Sequence, residues 1–448
     1  MKLTTEKGSA NYVCSVIRLQ KTYPIEGADK IVKTEVFGND VIISKDTVLG
    51  ELMIYFNSGT KLNSEFCKYN NLYSNKENNI NPEAKPGYFS KTGRTKAIKL
   101  RNVISDGILL PINTLSYLID TKKLKEGDCF TTIDGNILCE KYIVPENKSN
   151  SNKSNNKKKE VKFDRIIDNQ FQFHNDTSNL RKNIHKLNIN DIISIHYKKH
   201  GTSFVAGNIL VKKDLKWYEK LAKKLGLNIV DQEYDVVYSS RKIIKNQYLN
   251  KTLDKSYYKS DIWGEAVEKI KHLIPKNWTI YGEIIGFTSS GSPIQGKYDY
   301  GCKVGEHKLY VYKISITNID GEVIYLTDKQ IEEYCEKVGL LYKDTFIYYG
   351  FIDELFADHN FIAWDILDKE KEYDGWQETL LAFLEFKYNE KNCYMCNNKV
   401  PEEGIVLRVE KLFEYEAYKL KSKRFLLMES DLQEKEEINI EDNQEIND

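Results

Sequence analysis

A chain of 448 residues with 41% hydrophobic and 12% aromatic content is long enough for two or three packed cores. Its 66 basic and 66 acidic residues cancel, so net charge excludes neither a polyanionic nor a cationic partner, and the placement of charges has to decide. There is no charged-then-apolar leader and no apolar run near about 18 residues, which argues against secretion and membrane insertion and predicts a soluble, cytoplasmic protein. The eight cysteines, scattered at 14, 67, 129, 139, 302, 335, 393 and 396, fit reduced thiols rather than a disulfide framework.

In chain order, the first 145 residues read as all-β. Short apolar runs at Val13 to Leu19, Ile31 to Phe37, Val41 to Ile43, Leu52 to Phe56, Ile98 to Leu100 and Ile108 to Leu110 are separated by turn signals, the pattern of a small barrel of the OB type. Between the last two runs and just before them, Lys91 to Arg101 carries five cations in eleven residues; Arg94, Lys96, Lys99 and Arg101 are candidates for contact with a nucleic-acid backbone. Residues 146–160 are almost free of apolar side chains and are expected to be a flexible linker.

Residues 161–430 mix strands and helices, so the expected class is α+β: a small β-barrel followed by a domain built around antiparallel sheet. Asp214 to Leu225 places Leu215, Tyr218, Leu221 and Leu225 on one helical face, and Asp261 to Ile274 does the same for Ile262, Ala266 and Ile270. Thr327 followed by Gln330 is a capping-box pattern opening a helix that ends near Gly339. Strands are expected at Thr279 to Ile285 and Lys308 to Ile316, and an acidic, unstructured tail at residues 431–448.

The chemistry is concentrated in an ordered set of segments. Lys198-Lys199-His200-Gly201 follows the apolar run Ile192-Ile193-Ser194-Ile195, which places a lysine at the end of a strand before a glycine turn. A lysine amine attacks only when neighbours orient it or lower its pKa. Downstream come Ser240-Arg241, Tyr281-Gly282-Glu283, the aromatic strand Tyr310-Val311-Tyr312, Glu402-Glu403-Gly404-Ile405-Val406-Leu407-Arg408, and Lys419-Leu420-Lys421. Such a set suits nucleotidyl transfer. Lys198 would attack the α-phosphate of a nucleoside triphosphate, and Lys419 and Lys421, on one strand face, would stabilise the developing charge. Glu283 and Glu403 would serve Mg²⁺, Arg241 would fork onto ribose or phosphate oxygens, and Tyr312, or Tyr310 beside it, would stack on the base. Cys393-x-x-Cys396 lacks a second ligand pair, so free thiols are the expectation over a zinc site. The loop Thr288 to Gly296 is expected beside the nucleotide or the nucleic-acid end.

This ordered set, spanning Lys198 to Lys421, resembles the covalent nucleotidyltransferase superfamily of ATP-dependent ligases and mRNA capping enzymes. With a β-rich module in front, and with His200 where DNA ligases and capping enzymes usually carry Asp, it looks like the RNA ligase family with an N-terminal OB domain. The resemblance implies ATP and Mg²⁺ (or Mn²⁺) as cofactors and a three-step reaction. Lys198 is adenylated, AMP moves to a 5′-phosphate, and a 3′-OH displaces it. It implies ribose contacts for Arg241 and Glu283, metal positioning by Glu283 and Glu403, adenine stacking on Tyr312, α-phosphate contacts for Lys419 and Lys421, and a nucleotide contact for His200. His174 lies in a segment similar to one near the family's nucleotide pocket. The expected partner is RNA or an RNA-containing nicked duplex, engaged by a monomer with no membrane. A DNA ligase, a guanylyltransferase or a non-catalytic relative are the alternatives, and domain order and His200 weigh against the first two.

Overall fold

The computed structural model describes residues 1–6, 8–143, 163–246, 261–357 and 375–434. The expected linker at 146–160 lies outside these residues, as do 435–448 of the expected tail.

The chain is α+β, with antiparallel sheet throughout its main ladders. In the N-terminal part, β1 (Cys14–Arg18), β2 (Ile31–Val36), β3 (Asn39–Ser44), β4 (Leu52–Phe56), β5 (Ala97–Leu100) and β7 (Ile108–Pro111) fall where the apolar runs predict, and β6 (Val103–Asp106) forms outside them. β7, β4 and β1 are neighbours in one sheet, and β2 pairs β3 in another. Cys14, Val16, Ile54, Phe56, Phe66, Leu110 and Phe130 fill the main core of this part.

Two five-stranded sheets follow. In the first, β8 (Ile192–Lys198), β15 (Gly404–Glu410) and β16 (Tyr415–Lys421) lie in the order β16-β15-β8, with β14 (Phe346–Phe351) outside β8 and the short segment Ser178–Asn179 outside β16. In the second, β9 (Thr202–Lys212), β10 (Gln232–Ser239), β11 (Trp278–Gly286), β12 (His307–Thr317) and β13 (Val323–Tyr325) lie in the order β10-β9-β11-β12-β13. The turn Lys199 to Gly201 links β8 to β9 and so joins the sheets.

Helices seal the outer faces. α2 (Ile262–Ile270) buries Ile262, Trp263, Ala266, Val267 and Ile270 against the second sheet. α3 (Asp328–Val338) opens on the capping box read from the sequence: Gln330 N donates to Thr327 Oγ1 at 3.4 Å and Thr327 N to Gln330 Oε1 at 2.9 Å. It ends at Gly339, whose φ of 77° is the left-handed cap glycine adopts without a Cβ clash. α4 (Trp376–Leu384) covers the first sheet through Leu380, Leu381, Phe383 and Leu384.

Two elements differ from expectation. α1 (Trp217–Lys224) forms at the expected place, but it buries no residue, and Trp217, Leu221 and Leu225 stand 77%, 51% and 73% exposed. Its amphipathic spacing specifies a helix without specifying a partner. α5 (Lys423–Glu434) runs through the start of the expected tail. Phe425 and Ser430 are buried on it, and Arg94 Nη2 donates to Ser430 O at 2.9 Å, so contact with the N-terminal part orders a segment whose composition reads as tail. Among the described residues no helix is long and apolar enough to cross a membrane.

Candidate active site

The segments singled out in the sequence converge on one cleft. It is lined by Lys198, His200, Arg241, Glu283, Tyr312, Glu403, Lys419 and Lys421, together with His174, Asp176 and Glu429 and with Tyr12, Asn57 and Lys141 of the N-terminal part.

Strand register puts the lysines in a row. Lys198 pairs across β8 and β15 with Gly404, and Gly404 pairs across β15 and β16 with Lys421. A Cβ on Gly404 would sit 2.1 Å from Leu420 O, so only glycine allows β16 to approach there. Leu420, between Lys419 and Lys421, faces the opposite side and joins the core. The glycine of the turn is equally constrained. A Cβ on Gly201 would lie 2.3 Å from Ile284 O and 2.9 Å from Glu283 Cγ, while Gly201 N donates to Glu283 Oε1 at 3.0 Å. Gln295 Nε2 donates to Gly201 O at 2.7 Å. That is the contact the Thr288-to-Gly296 loop makes with this turn, and the loop does not line the cleft.

Lys198 Nζ lies 2.8 Å from Glu403 Oε1, with Lys198 27% and Glu403 3% exposed. Burial disfavours the Lys198 ammonium, but Glu403 and Glu283 outweigh it and raise the pKa. Lys421 is also raised, because Glu429 and Glu403 outweigh burial, and its Nζ bonds both Glu429 oxygens at 2.8 and 3.0 Å. Lys419 behaves oppositely. It makes no ion pair among the described residues, and burial and then the charges of Lys421, Lys198, Arg241 and Lys141 pull it down to about 7. Arg241 is held by Asp176.

His200 is wedged between Tyr298 and Phe425, ring centroids 5.2 and 5.0 Å away, and donates its backbone N–H to Tyr300 Oη at 2.6 Å. Burial lowers its pKa to about 4, so it is neutral at pH 7. Tyr310 and Tyr312 both line the cleft. A bulge in the β11–β12 ladder pairs Tyr281 with Lys313 and Gly282 with Val311, passing over Tyr312. Tyr310 packs in a core and donates to Asp344 Oδ2 at 3.0 Å. Tyr312 takes the cleft edge, its Oη 2.9 Å from His174 Nδ1.

The basic hairpin is not one surface. Arg94 is buried and Lys96 is paired with Glu434, both turned onto α5, which corrects their assignment as free contacts for a polyanion. Lys99 and Arg101 stay exposed. Asp176, Glu429 and Lys141 were not singled out in the sequence. Asp176 lies in the segment around His174 that carried a resemblance, and Glu429 directly follows the apolar stretch Phe425 to Met428, eight residues after Lys421. All eight cysteines are free thiols, and among the described residues no group of three His, Cys, Asp or Glu is placed to hold a metal.

A family model described as an OB-fold domain matches residues 13–112. No curated protein matches the chain. Among solved structures, the chain is similar to a mutant of Naegleria gruberi RNA ligase with ATP and Mn, at 16% identity and a TM-score of 0.56 over 95% of this chain and 99% of that one. The same ligase with PPi matches at 18% identity and a TM-score of 0.56, over 93% and 98%. A mutant of it with AMP and Mn matches at 17% and 0.55, over 92% and 97%. The chain therefore carries an N-terminal OB-fold domain and shares the fold of these RNA ligase structures across nearly its whole length.

Proposed function

We propose that this protein is an ATP-dependent RNA ligase that joins 3′-OH and 5′-phosphate ends through a lysyl-AMP intermediate, acting at nicks in duplexes. In this reading residues 1–145 form the OB-like unit and 161–430 the adenylation unit. The observation that carries it is the row Lys198–Gly404–Lys421, flanked by Lys419, which makes no ion pair among the described residues. It combines a nucleophilic amine with cations that await phosphate. The similarity to RNA ligase structures with ATP, AMP and Mn supports the choice of ATP.

Lys198 Nζ attacks the α-phosphorus of ATP, the bond to the β-phosphate oxygen breaks, and pyrophosphate leaves. The amine must first lose its proton, and Glu403 holds that proton on; attack therefore requires Glu403 to be engaged elsewhere. Among the described residues Glu403 Oε2 is buried without a hydrogen-bond partner, and Glu283 lines the same cleft, so these two carboxylates would hold a divalent cation together with phosphate and water oxygens. Bound there, Mg²⁺ or Mn²⁺ would supply positive charge to the phosphate oxygens and compete with Lys198 for Glu403. Arg241, fixed by Asp176, and Tyr312, fixed by His174, bind sugar and base, and Lys419 and Lys421 bind the phosphate. AMP then passes to a 5′-phosphate, the 3′-OH attacks that phosphorus, and AMP leaves.

Sealing of nicked duplexes tests this reading. With ATP and Mg²⁺, a nick with an RNA 3′-OH strand should be closed faster than one with a DNA 3′-OH strand. Equal rates on both would move the reading to a DNA ligase.

A further inference from the structure

Two ion pairs stand side by side where β8 ends and β15 begins. In the cleft Lys198 meets Glu403. Beside it the adjacent residues, Lys199 and Glu402, approach to 3.9 Å, with side chains 2% and 0% exposed. Lys199 Nζ lies over the rings of Tyr394, Tyr197 and Tyr300, at 4.8, 5.4 and 5.7 Å from their centroids. Among the described residues, no group hydrogen-bonds Lys199 Nζ or either oxygen of Glu402 within normal geometry.

This is an expensive way to join two strands. Removing each ion from water is costly, and well-packed apolar residues of the same volume do as well or better. The three rings recover part of that cost. A role beyond stability is needed, and the neighbours supply it. Lys199 and Glu402 share their backbone with Lys198 and Glu403, so whatever fixes one pair also fixes the other. Tyr300, one wall of the cage, also accepts the His200 N–H and so ties the cage to the turn between the sheets.

We infer that the buried Lys199–Glu402 pair is a positioning device that sets the orientation of Lys198 relative to Glu403 and the α-phosphate. Both residues act through Lys198, their side chains buried at 2% and 0% exposure. The inference rests on the adenylation reading above.

The test is single-turnover formation of lysyl-AMP, with thermal unfolding alongside, for Lys199→Met, Glu402→Leu and the double variant. Each single variant leaves the other partner's polar group buried without its mate and should be slow and unstable. The double variant buries no charge and should unfold at or above the wild-type temperature. Its maximal adenylation rate should still fall roughly 10- to 100-fold, with half-saturation by ATP within about threefold of wild type. A double variant that is adenylated at the wild-type rate overturns the inference. So does one whose loss lies in half-saturation, or one that fails to fold, since the pair is then merely structural. Absence of label on the wild type overturns both this inference and the reading beneath it, whereas a labelled wild type with an equally fast double variant overturns this one alone.

Discussion

Lys419 stands among cations, and its chemistry follows from that. Burial and the neighbouring charges of Lys421, Lys198, Arg241 and Lys141 hold its pKa at about 7, against about 10.4 for a free lysine. A bound phosphate favours the ammonium form, so the pKa rises on binding and the site takes up a proton. The sign is fixed: affinity for α,β-methylene-ATP, which Lys198 cannot cleave, should fall as pH rises through about 7. Calorimetry in buffers of different ionisation enthalpy should show that uptake. In Lys419→Met the pH dependence should vanish and affinity should drop roughly 10- to 100-fold, the worth of a charge-assisted hydrogen bond. An unchanged pH profile would remove Lys419 from the phosphate site. His200 shows the limit of sequence reading at this scale. Its position after Lys198 is visible, but its neutrality comes from Tyr298 and Phe425, which are remote in sequence.

Strand alternation was enough to place Lys419 and Lys421 on one face and to bury Leu420, because β16 is regular. It did not announce the bulge that passes over Tyr312, and although both tyrosines line the cleft, Tyr310 is also held in a core and by Asp344. The two tyrosines should therefore separate cleanly on mutation. Tyr310→Ala should cost about 3 kcal/mol of stability, as for a large aromatic lost from a core, seen as a lower midpoint in urea. Tyr312→Ala should chiefly raise half-saturation by ATP. The reverse pattern would mean that the bulge does not direct Tyr312 to the base. Gly404→Ala tests the close approach of β15 and β16. With Leu420 O only 2.1 Å from the new carbon, the strands must part, and a loss above about 4 kcal/mol is expected in thermal unfolding. Helix α3 was legible to both caps, since Thr327, Gln330 and Gly339 act locally. The exposed face of α1 was not, since its spacing carries no information about what packs on it.

Across the described residues the N-terminal part meets the C-terminal part at several points. Asn11 accepts from Asn179 N at 2.9 Å and Lys182 Nζ donates to Asn57 Oδ1 at 2.9 Å, and Arg94 bonds Ser430 O and Gln433 Oε1 of α5. These contacts were invisible in the sequence, and they divide the basic hairpin. Arg94→Ala should lower the unfolding temperature by the loss of a buried charged partner, about 2 kcal/mol, and leave the salt dependence of RNA binding unchanged. Lys99→Ala with Arg101→Ala should do the opposite. It should leave stability unchanged and flatten the logarithmic salt dependence of duplex binding by about two units if both meet phosphates. Fluorescence anisotropy across a salt series reads the difference.

The central claim, that Lys198 is a nucleophile that accepts AMP, meets its most direct test in one incubation. Wild type and Lys198→Ala are mixed with Mg²⁺ and α-labelled ATP or GTP and resolved under denaturing conditions. The account predicts label from ATP, none from GTP, and none on Lys198→Ala. Label persisting on Lys198→Ala, or arriving from GTP in place of ATP, would contradict it.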